Sequence, residues 1–79
     1  MTKSGTVRID GTKMRRLREE RLMSLRDLSE ASGVALFTVL AAEQERHRYG
    51  VRPSTARKLA KALFVPPQDL LAHDDEDEH

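Results

Sequence analysis

Apolar residues recur every three or four positions through most of this chain, and the pattern is broken by a capping serine, glycines and prolines. In residues 11–21, Met14 and Leu17 fall three apart while Arg15, Arg16, Arg18, Glu19 and Glu20 occupy the other faces, which predicts a first helix. Within it Glu20 is spaced to pair with Arg16 at i,i+4, a contact worth a few tenths of a kcal/mol. Ser24 caps a second helix over 25–32, in which Leu28 points inward and Ser29 is small where another helix must come close. Gly33 supplies the positive φ of a tight turn, which a residue with a side chain adopts only with strain. A third helix follows over 35–44, with Val34 and Val39 facing back onto Leu28.

Residues 45–53 contain Gly50 and Pro53 and read as the longest loop of the body. Pro53 or Ser54 opens a fourth helix over 55–63, where Ala56, Leu59, Ala60 and Leu63 keep the helical period. Pro66 and Pro67 stop that helix and start a short fifth one, since proline suits a first turn, and Leu70 and Leu71 fold it back. Near the N-terminus Val7 and Ile9 alternate with polar residues, as in a short strand or an arm packed on the body. The expected organisation is an extended or flexible arm over 1–10, an all-α domain of five helices over 11–72 and a disordered acidic tail over 73–79. Its expected core is Met14, Leu17, Leu25, Leu28, Val34, Val39, Ala42, Leu59, Leu63, Val65 and Leu70.

Two helices crossing at a short glycine turn form a helix-turn-helix, whose second helix can enter the major groove of double-stranded DNA. With Val34, Val39 and Ala42 inward, a rotation of about 100° per residue turns Leu36, Phe37, Leu40, Ala41 and Gln44 outward. This helix is apolar on nearly every side, and three readings of its outer face stay open. The side chains contact thymine methyl groups; they form a protein interface; or the register differs and some of them complete the core. Gln44 is the only outward group able to bond a base edge at two points, while Thr38 can bond a phosphate or its own backbone.

Charge changes the picture. The formal net charge is +1, but Asp74–Glu78 holds five of the 13 acidic residues, leaving 14 basic against eight acidic groups in residues 1–72. Such a body attracts a polyanion. Arg46, Arg48 and Arg52, with Tyr49, follow helix three and suit phosphates; the alternative is a solvated basic loop. Ser24 and Arg26 open helix two and suit phosphates of the opposite strand, and Ser24 can cap the helix at the same time. Arg57, Lys58 and Lys61 read as a solvated face, and the tail either competes with DNA for the basic body or solubilises it.

No apolar run approaches the roughly 20 residues that cross a bilayer, and the N-terminus has no stretch of signal-peptide length. The chain has no cysteine, so it has no disulfide framework and no thiolate zinc site. No glycine-rich phosphate loop and no histidine set against a carboxylate suggests catalysis. A cytoplasmic protein without metal, cofactor or enzymatic activity is expected.

Leu17-Arg-Glu-Glu-Arg21, Leu25 with Leu28, Gly33-Val34, Thr38-Val39, Glu43, residues 53–63 and Asp69-Leu-Leu71 together resemble the lambda-repressor-like domain, the Cro and repressor type helix-turn-helix of the XRE family. The resemblance spans about residues 11–71. It implies a five-helix bundle in transcriptional regulators, phage repressors or antitoxins, which usually bind DNA as homodimers. Several positions depart from the family pattern. Leu22 and Phe64 stand where glycines are usual, Ser29 stands for alanine, and Ala35, Leu36 and Phe37 replace the polar residues that usually open helix three. These changes put the mode of DNA reading in doubt rather than the fold, and they leave a protein partner on helix three as the alternative.

Overall fold

The computed structural model describes residues 5–44 and 50–72. Among these, four α-helices form: α1 (Gly11–Glu20), α2 (Leu25–Ser32), α3 (Leu36–Glu43) and α4 (Pro53–Ala62). A single 3-10 turn, Pro67–Asp69, stands where a fifth helix was expected. The reason lies just beyond it. Leu71 pairs in extended form with Ile9, and the Ala72 amide donates to the Arg8 carbonyl at 2.9 Å, so the chain must straighten before another helical turn can close.

The core gathers Met14 of α1, Leu28 of α2, Val39 and Ala42 of α3, Ala56, Leu59 and Ala60 of α4, and Leu63 and Leu70 beyond it. α2 packs on both α3 and α4, α1 on α3, and the 3-10 turn on α4. Leu17, Leu25 and Val65 are half-buried at its margin rather than inside it. Ile9 and Val51 join the core instead, because the arm is tied down. Val7 and Val51 exchange two backbone hydrogen bonds of 2.8 Å, and the Asp10 amide donates to the Leu70 carbonyl at 2.7 Å. The arm therefore packs on the body through isolated bridges; residues 1–4 and the acidic tail 73–79 lie outside the described residues.

Two ends of this framework position α3. Gly11 opens α1 so close to the end of α3 that a Cβ there would overlap the carbonyls of Ala42 and Glu43. Arg18, placed by the helical period away from the Met14 and Leu17 face, spans to Glu43, with Nε donating to Oε2 at 2.6 Å and Nη2 to Oε1 at 3.2 Å. Its Nη1 also donates to the Met23 carbonyl at 2.7 Å, which ties in the α1–α2 connection. The two side chains are only 12% and 6% exposed, and the hydrogen bond to Glu43 is the main reason the guanidinium pKa is raised further. The helix-surface pair of α1 is Arg15–Glu19 at 3.2 Å; Glu20 faces Arg21 at 3.8 Å and not Arg16.

The helix ends show how the chain handles the family's glycine positions. α1 and α4 both close with paired hydrogen bonds: Met23 to Arg18 and Leu22 to Glu19, then Val65 to Ala60 and Phe64 to Lys61, each 3.0–3.1 Å. This is the Schellman arrangement, which requires a left-handed residue at its turning point. Leu22 (φ 56) and Phe64 (φ 61) occupy that point. A side chain in this conformation costs about 1–2 kcal/mol. Met23 and Val65 pack against the core immediately after, which holds both turns in place.

Candidate nucleic-acid interface

Ser24 begins the helix-turn-helix with a reciprocal cap. Its hydroxyl accepts from the Asp27 amide and its own amide donates to Asp27 Oδ2, both at 2.9 Å. The Ser24 amide, and then its hydroxyl, hold the Asp27 carboxyl below its ordinary pKa. Arg26, the second residue of α2, is exposed.

The turn between α2 and α3 is fastened from both sides. Gly33 (φ 76) donates to the Ser29 carbonyl at 2.9 Å. The Ser29 hydroxyl donates to the Val34 carbonyl at 2.6 Å, and the Val34 amide donates to Ser32 Oγ at 3.2 Å. The serine that replaces the usual alanine is thus a clasp across the turn, a role that small size alone does not reveal. Val34 then drops into the core, and α3 starts at Leu36 with Ala35 providing no side-chain cap.

Val39 and Ala42 are the buried residues of α3, so the register with those two inward is the one that forms. Phe37, Ala41 and Gln44 fall on a single outer ridge at i, i+4 and i+7. Phe37 is 78% exposed, Gln44 is exposed and Ala41 is half-buried. Leu40 and Leu36 flank the ridge on one side and Thr38 on the other. Leu40 is half-buried, bordering a recess of about 230 Å³ with Leu25, Arg15, Arg18, Glu43 and Gln44. None of the outward-predicted side chains completes the core. The reading that moves them inward is therefore corrected.

Arg52 is exposed immediately before α4, next to Val51 where the arm pairs. Arg46 and Arg48, with His47 and Tyr49, lie outside the described residues. The sequence reading missed Arg18 and Glu43 as a unit: Glu43 entered only through the family motif, and nothing local to Arg18 distinguishes it from its solvated neighbours. No helix among the described residues is long and apolar enough to cross a membrane.

A left-handed glycine turn between two short helices, held in a four-helix frame, defines a helix-turn-helix domain. The family model of the Cro/C1-type helix-turn-helix DNA-binding domain matches residues 13–76, and the chain belongs to that family. Solved structures agree. The N-terminal DNA-binding domain of the master biofilm regulator SinR from Bacillus subtilis is 26% identical with a TM-score of 0.71, over 89% of this chain and 100% of that one. The restriction-modification controller protein C.AhdI from Aeromonas hydrophila is 27% identical with a TM-score of 0.66, over 75% of this chain and 86% of that one. A hydroxyethylphosphonate dioxygenase is also similar, at 26% identity and a TM-score of 0.71, but the chain spans only 14% of its length. No curated protein sequence matches the chain.

Proposed function

We propose that this chain is a cytoplasmic, homodimeric transcriptional regulator that lays α3 in the major groove of double-stranded DNA. Leu36, Phe37, Leu40, Ala41 and Gln44 face the bases, and Thr38 stands at the groove edge. Ser24 and Arg26 at the start of α2, with Arg46, Arg48 and Arg52 beyond α3, hold phosphates. The observation that carries this reading is the outer ridge of α3, which stands free of the core in a domain of a DNA-binding family. Phe37 and its leucine neighbours offer no hydrogen bonds, so base reading falls to thymine methyls and Gln44, and each bidentate contact not made forgoes about 1–3 kcal/mol of discrimination. Affinity then rests on the basic flanks. Selection of sites from random duplex DNA tests the proposal: a thymine-rich motif is expected, its affinity should fall with salt, the phosphates on Arg46, Arg48 and Arg52 contributing a log–log slope of about −2.7 per subunit, and Phe37→Ala should weaken it. Absence of enrichment, or affinity indifferent to salt, defeats it.

One observation favours a second reading. Phe37 at 78% exposed, beside exposed Leu36, is the kind of surface that a protein partner covers, as an antitoxin would use it. In that case Leu36→Asp abolishes a protein complex or dimer in a chain that is blind to DNA.

A further inference from the structure

A groove of about 610 Å³ opens where the C-terminal ends of α1, α2 and α4 come together, and no residue of α3 lines it among the described residues. Met23, Ala31, Ala62 and Phe64 form its apolar part. Arg21, Lys58 and Lys61 form its charged part, and no described carboxylate lines it. Arg21 is partly engaged with Glu20 and the Leu17 carbonyl, while Lys58 and Lys61 are exposed with no ion-pair partner among the described residues.

Two side chains stand out here. Phe64 lines the groove; Leu22, between the lining residues Arg21 and Met23 in sequence, does not line it itself. They are 85% and 92% exposed, and both take a left-handed backbone that glycine would adopt without strain. The fold gains nothing from either side chain, since neither is buried. A residue held in an unfavourable conformation with its apolar group in solvent points to a role outside folding.

We propose that this groove docks an acidic amphipathic segment of a partner protein. Phe64, with Met23, Ala31 and Ala62, receives the apolar side chains of the segment, and Lys58, Lys61 and Arg21 receive its carboxylates. The volume lies within the range of sites that enclose a small ligand or a few large side chains. Charge selects the occupant. A second copy docking this same groove about a two-fold axis would bring two sets of these cations together with no described lining carboxylate between them, and a duplex backbone offers nothing to the apolar half of the groove. The surface is separate from α3, so the chain can hold this partner and a ligand on α3 together.

The test exploits the glycine variants. Phe64→Gly removes the docking side chain and relieves the backbone, so lost binding in it is not lost folding; Leu22→Gly relieves the backbone outside the groove and serves as the control that keeps binding. The full chain is used to select displayed short random peptides, with Phe64→Gly as counter-selection, and the recovered peptides are titrated by anisotropy and by amide chemical shifts. Expected are peptides rich in Asp and Glu with Leu, Phe or Trp three or four apart. They should shift the amides of Met23, Ala31, Ala62 and Phe64, and bind about tenfold more weakly to Phe64→Gly and to Lys58→Glu/Lys61→Glu. Recovery of no peptide that distinguishes Phe64→Gly overturns the proposal, as do enriched peptides without acidic residues. A dimer that dissociates in Phe64→Gly assigns the groove to a second copy, and duplex DNA shifting the same amides assigns it to nucleic acid; both also overturn it.

Discussion

The chain turns left-handed at the ends of α1, α2 and α4, and it treats the second differently from the other two. At the end of α2 the turning residue is Gly33, where an added Cβ would meet nothing within 4 Å. The glycine is there for its backbone alone, and Ser29 and Ser32 fasten the turn around it. At the ends of α1 and α4 the same handedness is forced on Leu22 and Phe64, with paired hydrogen bonds and the packing of Met23 and Val65 enforcing it. Both ends of α2, which lead into α3, are built from locally favourable choices. The two outer helix ends are built against local preference and held by their surroundings. Strain concentrated away from the helix-turn-helix leaves the geometry of α3 unburdened, and it places the apolar cost where a surface contact can recover it.

The contrast makes predictions of opposite sign. The largest effect belongs to the fastening of α3: Glu43→Ala leaves the largely enclosed Arg18 without its partner and should cost about 3 kcal/mol, read as a lower urea midpoint with unchanged slope. A cost near zero would mean that the pair does not anchor the helix. Next come the turning residues. Gly33→Ala should destabilise by about 1–2 kcal/mol, whereas Leu22→Gly and Phe64→Gly should each stabilise by about 1 kcal/mol. If either glycine variant melts lower than the parent, the strain argument fails at that helix end. Ser29→Ala should cost about 1 kcal/mol by unmaking the clasp to Val34. The smallest effect is the acid dependence of the α2 cap. The Asp27 carboxyl is held below its ordinary value of 3.8, so its contribution is present above that value and is lost as pH falls through the lower folded value. Asp27→Asn should flatten this acid limb, observed as the pH dependence of the Ser24 amide shift.

Much of this was legible in the residues themselves because it is local. Gly33 between two apolar periods gives the turn, Ser24 gives the cap, and the spacing of Met14, Leu28, Val39, Leu59 and Leu63 gives the core. What escaped is what depends on a partner far along the chain. Arg18 looks like any cation on an amphipathic helix until Glu43 is brought beside it. Val51 reads as a loop residue until Val7 pairs with it, and the expected fifth helix yields to a turn because Ile9 claims Leu71. Leu22 and Phe64 depart from the family's glycines in a way any sequence reader notices, but their letters do not say that the backbone keeps the glycine's conformation. For the interface, the outward ridge of α3 follows from helical rotation, while no pattern of residues reveals what it touches.

The knot between the arm and the two later segments has a consequence for the order of assembly. The contacts of the helix-turn-helix close short loops, whereas Val7 with Val51, and Ile9 and Arg8 with Leu71 and Ala72, join residues more than 40 positions apart. Closing such long loops carries the larger entropy cost, so these pairings should form after the rate-limiting barrier. Weakening the arm, for instance by Ile9→Ala, should then accelerate unfolding while leaving the refolding rate almost untouched. On that outcome the arm, short as it is, would set how long the folded molecule lasts rather than how fast it arises.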